Sequence, residues 1–236
     1  RYQFTESAPY TWFELPDLQL AVAGFNSTMR ESHLDKEAGG HFGHYGYVGE
    51  GQLDWFAKRL AEAKAKGWLR IGLVHHNAIR GAEADDENLR DAELLLSRLG
   101  DKLHLLLHGH THDGKIGWHG KHLPVLSTGS AALKVEQRPE EVPNQYRIVQ
   151  VDASGMKVWA RQYEPQRRAW IADTRLTGES AQTHEAIEWR DVKGAFAQTP
   201  PVTAAQGADR HGGGDAASAQ GDRTQRSERD ELRQAR

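Results

Sequence analysis

Two short apolar runs that each break off into histidine set the strongest constraint on what this chain can become. Leu69 to Val74 runs into His75-His76-Asn77, and Leu103 to Leu107 runs into His108-Gly109-His110-Thr111-His112-Asp113-Gly114. Continuous apolar runs of this length, ending at polar or Gly-containing segments, suit strands covered on both faces of a sheet. Each strand then delivers histidine at its C-terminal tip, the side on which α/β sheets place their ligand sites. His108, His110 and His112 are spaced by two, so whatever part of that segment stays extended aims them to one side. Gly109 among them has no side chain to obstruct a close approach. Neutral imidazole is the commonest metal ligand near neutral pH, and a converging set suits Zn, Fe, Mn or Ni. The two segments together predict a metal site.

The surrounding elements predict the frame that carries it. Leu18 to Phe25 reads as a strand. Gln52 to Lys66 has Leu53, Phe56, Ala57, Leu60 and Ala61 as one apolar stripe at helical spacing, closed by Gly67. A second helix is expected from capping residues Asp85-Asp86 through Leu99, with Leu89, Ala92, Leu96 and Leu99 turned inward. Strand, helix, strand, helix, strand in that order predicts an α/β domain with at least partly parallel pairing. Leu123 to Ser127 is a further strand, followed by a turn at Thr128-Gly129-Ser130 beside the site. Gln145 to Val151 and Met156 to Tyr163, around Ala153-Ser154-Gly155, read as an antiparallel hairpin, and Arg167 to Thr174 as one more strand. His104, His119 and His122, taken singly, read as packed or solvated residues, and His104→Ala is expected to be nearly neutral.

Gly109-His110-Thr111-His112 resembles the Gly-His-x-His signature of the calcineurin-like metallophosphoesterases. Val74-His75-His76-Asn77 resembles the preceding histidine motif of that family, with Asn77 where Pro is frequent. The resemblance covers about residues 18 to 165. It implies a partial metallophosphoesterase-type sandwich, mixed β-sheets flanked by helices, with the late strands in the second sheet. It implies two divalent or trivalent metal ions of the Mn, Fe or Zn kind, with His75 and His110 on one and His112 on the other. The family also needs Asp-x-His, Gly-Asp and Gly-Asn-His motifs, and none of them precedes the histidine segments here. The chain is therefore expected to be the C-terminal half of a longer protein, active only with its missing half, with further domains of that chain as neighbours. The activity implied is hydrolysis of a phosphomonoester or phosphodiester, on a phosphorylated small molecule or a phosphoprotein. The alternative is an inactive scaffold kept for binding or regulation.

Composition bounds the rest. A net charge of -3 and a pI near 6.5 offer no basic face for nucleic acid. No apolar run approaches 18 residues, so no membrane span is expected, and the expected compartment is the cytoplasm. Without cysteine, thiolate and disulfide chemistry are excluded. Met29 to Gly49, rich in Gly and His, is expected to be a long loop, from which His41 or His44 reaches over the metals toward substrate. Residues 1–192 are expected to form the domain and 193–236 a low-complexity linker or disordered tail.

Two rival chemistries fit less well. An amidohydrolase barrel also uses a His-x-His pair on a strand. That pair opens the barrel, however, and too little folded chain follows His112 to complete one. A metallo-β-lactamase signature needs Asp before its last His, whereas here Asp113 follows His112.

Overall fold

Leu69–Val74 and Leu105–His108 form adjacent parallel strands, and the layers around them follow from their side-chain alternation. The computed structural model describes residues 4–28, 45–79, 88–152, 155–177 and 182–185. The chain divides into two units, Arg1–Pro201 and Val202–Arg236. The second unit, the domain boundary expected near residue 193, and His33, Asp35, His41 and His44 all lie outside the described residues.

The larger sheet has six strands: β1 (Thr11–Leu15), β2 (Leu20–Phe25), β3 (Leu69–Val74), β4 (Leu105–His108), β5 (Ile116–His119) and β6 (Leu123–Ser127), in the order β1-β2-β3-β4-β6-β5. The inner four run parallel, while β1 and β5 are antiparallel edges. Helix α1 (Glu50–Ala65) links β2 to β3, and α2 (Ala92–Leu99) lies between β3 and β4. Parallel neighbours need such crossovers, because a tight turn cannot return the chain to the same end of the sheet.

Both helices cover one face of this sheet. Leu53, Phe56 and Leu60 of α1 and Leu95, Leu96 and Leu99 of α2 pack with Ala23, Phe25, Val74, Leu106 and Val125. Phe56 meets Phe25 edge to face at 4.7 Å between ring centroids. Burying a side chain of this size is worth roughly 1.5–3 kcal/mol. The opposite face meets a second sheet, made by β7 (Gln145–Asp152), β8 (Gly155–Glu164), β9 (Ala169–Ala172) and β10 (Thr183–Glu185). Met156 and Val158 of β8 are buried there against Leu105 and Leu126. A four-residue helix, α3 (Thr174–Thr177), follows β9.

The α/β class, the two sheets and the flanking helices agree with the sequence reading, as does the 145–163 hairpin. One expectation needs correction. The second helix starts at Ala92, not near Asp85: Asn88 and Leu89 form bridges to Asn77 and Gly46, and Leu89 is buried by that route. Asp91, just ahead of it, spends its carboxylate on the Val48 and Gly49 amides instead of on capping the helix. His104 is buried, its Nδ1 accepting the Arg70 amide at 3.0 Å, so removing its ring strips a partner from a buried N–H. Strands β1 and β5 were not anticipated.

Candidate metal centre

The register of the four parallel strands brings their C-terminal ends into one row. Phe25 pairs with Val74, Val74 with His108, and His108 with Ser127. The ladder runs one step further, with the Gly109 amide donating to the His75 carbonyl and the Thr128 amide to the His108 carbonyl, both at 3.0 Å. Asn26-Ser27, His75-His76 and Gly109-His110 therefore leave the sheet side by side.

Three imidazoles meet there. His110 Nδ1 lies 2.9 Å from His75 Nε2. The His76 ring centroid is 5.0 Å from that of His75 and 4.5 Å from that of His110. One ring nitrogen from each of the three falls within 4.8 Å of the others. Two nitrogens on one tetrahedral metal stand roughly 3.3 Å apart, given metal–nitrogen bonds of about 2.0–2.1 Å. The His75–His110 hydrogen bond is close to that separation, so an ion replacing the shared proton asks for little movement. The donor set fits a borderline metal such as Zn.

His76 was not among the residues singled out as ligands. Alternation along a strand would send His75 and His76 to opposite sides, but the strand ends at Val74 and the chain bends at both histidines. The repeated histidine was the available signal. Its ring is fully buried, with Nδ1 2.8 Å from Ser27 Oγ, so coordination by His76 would go through Nε2. Gln52 of α1 holds that side in place: its Oε1 accepts the Asn26 amide at 2.8 Å and its Nε2 donates to the Asn26 carbonyl at 3.0 Å. Gly46 makes the space, since a Cβ there would stand 2.5 Å from His76 Cγ.

The other segment is held differently. Extended backbone stops at His108, whose ring is buried, with Nδ1 3.1 Å from the Gly109 carbonyl. His110 and His112 then take left-handed φ values of 70° and 56°. A non-glycine residue in that region costs about 1 kcal/mol or more, although histidine tolerates it better than most. The expected alternation of three histidines is thus broken, and His112 stands apart from the three-histidine group, 6.4 Å between ring centroids from His110.

Past His112 the loop is tied to its surroundings by side chains. Ser127 Oγ donates to the Asp113 carbonyl at 2.6 Å and accepts the Lys115 amide at 2.7 Å. Gln145 Oε1 accepts the Gly114 amide at 3.1 Å, and its Nε2 donates to Asp173 Oδ2 at 2.7 Å. Burial pushes the Asp173 carboxyl up. The hydrogen bonds from Arg175 and Gln145 and the charge of Arg175 outweigh this and hold it below the usual carboxylate range. Arg175 is raised in return, mainly by its hydrogen bond to Asp173. Burial pulls Arg147 down to about 10, against the pull of Asp173 and Asp113, so it remains charged at neutral pH.

Beside His75 a groove of about 530 Å³ opens, lined by Phe4, Tyr10, Phe25, Leu73 and, at its polar end, Asn26 and His75. Among the described residues no helix is long and apolar enough to cross a membrane.

No family model matches the chain, and no curated protein matches it. Among solved structures it is similar to a dimetal phosphatase from Danio rerio, at TM-score 0.47 and 16% identity over 62% of this chain and 56% of that one. It is also similar to GAP50, the anchor in the inner membrane complex of Plasmodium, at TM-score 0.46 and 11% identity over 75% of this chain and 53% of that one. A Vps29 single mutant from Entamoeba histolytica matches at TM-score 0.29 and 15% identity, over 64% of this chain and 96% of its own. The chain spans about half the length of the first two.

Proposed function

We propose that this chain supplies the histidine side of the metal site of a metal-dependent phosphoester hydrolase. The observation that carries the reading is the meeting of His75, His76 and His110 within 4.8 Å at the C-terminal ends of adjacent parallel strands. The Gly-His-x-His resemblance turns that metal site toward phosphoester chemistry. In this reading His75 and His110 hold one metal and His112 contributes to a second, with carboxylates from elsewhere completing both. A bound pair of such ions would lower the pKa of water and stabilise negative charge on phosphoryl oxygens. The chain's own part is placement: three rings on a fixed sheet edge, with Ser27 Oγ beside His76 Nδ1, where it can accept the Nδ1 proton when Nε2 binds a metal. The groove beside His75 gives the organic part of a phosphorylated small molecule a place to lie. A phosphoprotein would have to present its phosphorylated side chain at the same edge. A net charge of -3 does not favour nucleic acid.

A second reading, a scaffold that binds without turnover, is favoured by one observation. Among the described residues the group able to hold a metal contains no carboxylate to bridge two ions. The test is His110→Ala in the complete protein, assayed on a generic aryl phosphodiester with Mn or Zn. The hydrolase reading expects turnover in the parent and a loss by orders of magnitude in the variant. Full turnover in the variant overturns the assignment, and metal binding without turnover in the parent establishes the scaffold.

A further inference from the structure

In the loop from His110 to Lys115 the first and third residues, His110 and His112, have left-handed backbone, which costs energy even for histidine. What holds it is not the strand ladder, whose last bond on this segment is that of the Gly109 amide to the His75 carbonyl. Thr111, buried between the two histidines, donates its amide to the Gly109 carbonyl at 2.9 Å and its hydroxyl to the Asp113 carbonyl at 3.3 Å. Further ties come from Ser127, 1% exposed, and Gln145, 2% exposed, both belonging to other strands, and from Arg147, whose Nη1 donates to the Lys115 carbonyl at 3.1 Å. Ser127 uses its hydroxyl at both ends of the 113–115 turn and adds its own amide, which donates to the Lys115 carbonyl at 2.9 Å.

Gln145 can serve Gly114 in only one orientation. An amide side chain presents an acceptor on one side and donors on the other, and flipping it would aim NH2 at the Gly114 N–H. Asp173, fully buried and ionised, offers only acceptors, so it takes the NH2 end and leaves Oε1 for Gly114. Arg175 fixes the carboxylate in turn, with Nε and Nη2 each 2.9 Å from its oxygens. Gly129 admits the arrangement, because a Cβ there would stand 2.6 Å from Gln145 Cβ.

We propose that Gln145, oriented by Asp173, and Ser127 are positioning residues that hold the loop of His110 and His112 in its metal-binding conformation. This rests on the metal reading of His75, His76 and His110. The second sheet thereby sets the geometry of a site built on the first, and changes at Asp173 reach His110 through one side-chain amide.

The test compares Gln145→Ala with Val158→Ala, a buried residue of the small core between the sheets. Zn affinity is measured on the whole chain by competition with a chromophoric chelator. In the metal-free protein, exchange of the Gly114 amide and the backbone couplings of His110 and His112 are followed by NMR. Both variants should melt earlier than the parent. Only Gln145→Ala should weaken Zn by tenfold or more, speed exchange at Gly114 and average the two couplings. Equal weakening in both variants, or unchanged affinity in Gln145→Ala, overturns the proposal. If the parent binds no Zn, the metal reading fails by itself, and the exchange and coupling data still decide whether Gln145 holds the loop. Should Gln145→Ala not fold, Asp173→Asn replaces it. Asn keeps the shape but presents NH2 or oxygen to Gln145, so Zn affinity and Gly114 protection should fall in the same direction. No change in either overturns the proposal.

Discussion

The two histidine segments arrive at the same place by opposite means. His75-His76 needs only the end of a strand and a bend, and its second ring is then locked by packing: no exposure, Gly46 beneath it and Ser27 on its Nδ1. His110 and His112 sit on a loop with left-handed backbone, held by hydroxyl and amide groups from β6 and β7. Steric locking tolerates little added volume but is indifferent to charge. A hydrogen-bonded loop responds to pH and to the loss of single polar groups. Each kind of support has its own way of failing.

Gly46→Ala and Gly129→Ala probe the packing difference with one methyl group each. At Gly46 the new Cβ meets the ring of a fully buried histidine, which has nowhere to turn, and overpacking of this kind costs about 3 kcal/mol. At Gly129 part of the clash is with the amide end of Gln145, which can turn away by giving up its bonds to Gly114 and Asp173, so the cost should be smaller, about 1–2 kcal/mol. Urea denaturation of both variants measures this. A larger loss at Gly129 would show that the hydrogen-bonded loop is the more rigid of the two.

This difference also explains what could be read from the sequence. The strands beneath both segments were legible because Leu69–Val74, Arg70 apart, and Leu105–Leu107 are apolar on both sides, and so was α1, because Leu53, Phe56 and Leu60 keep a helical period. His76 was not, because a bend of two residues leaves no mark in a hydrophobic pattern. Gln145 and Asp173 were not, since Gln145 lies 31 residues beyond Gly114 and Asp173 a further 28, and they act by hydrogen bonds that no periodicity encodes. Edge strands β1 and β5 were missed because only one side of each is bonded to a neighbour, and Gly117 and the exposed Phe13 and Leu15 blur the alternation. His104 reads from the sequence as a packed or solvated residue and is packed, but a single histidine carries no sign of the Arg70 amide it serves.

The charge sensitivity of the loop can be measured at Asp173. Its carboxyl is held below the usual range in the folded state, so it contributes stability above the unfolded value of about 3.9, lost as pH falls through the lower folded value. Asp173→Asn should cost about 2 kcal/mol at pH 6, the scale of hydrogen bonds to a charged group. Below pH 3 the parent and variant denaturation midpoints should draw together. A constant gap from pH 6 to pH 2 would mean that the carboxylate charge contributes nothing to holding the loop.

Ser27→Ala tests the packed segment in the same currency of polar groups. The variant removes the partner of His76 Nδ1, at about 1 kcal/mol for a buried hydrogen bond, but the ring remains wedged against Gly46. The stability loss should be about half that of Asp173→Asn, while metal affinity falls roughly 10-fold or more because Nδ1 loses the oxygen that accepts its proton when Nε2 binds. Denaturation and Zn competition read the two effects separately. Unchanged affinity would show that packing alone orients His76.

Arg147 is the one place where the second segment's support works against itself. Its Nη1 donates to the Lys115 carbonyl at 3.1 Å, yet Nε and Nη2 are buried with no hydrogen-bond partner among the described residues. Burial opposes its charge strongly enough to pull the guanidinium down to about 10, even with Asp173 and Asp113 pulling the other way. A buried charge with incomplete hydrogen bonding costs more than its attraction returns, and an apolar side chain of similar length is often neutral or stabilising in its place. Arg147→Met keeps most of the volume against Gly114 and Leu176 and gives up one bond to the loop. The expected result is a gain of about 1 kcal/mol in urea denaturation at pH 7, with Gly114 exchange unchanged because Gln145 still holds that amide. A loss of stability together with faster exchange at Gly114 would place Arg147 among the groups that hold the loop. The contrast between a packed segment and a bonded one would then turn on charge as well as on hydrogen bonds.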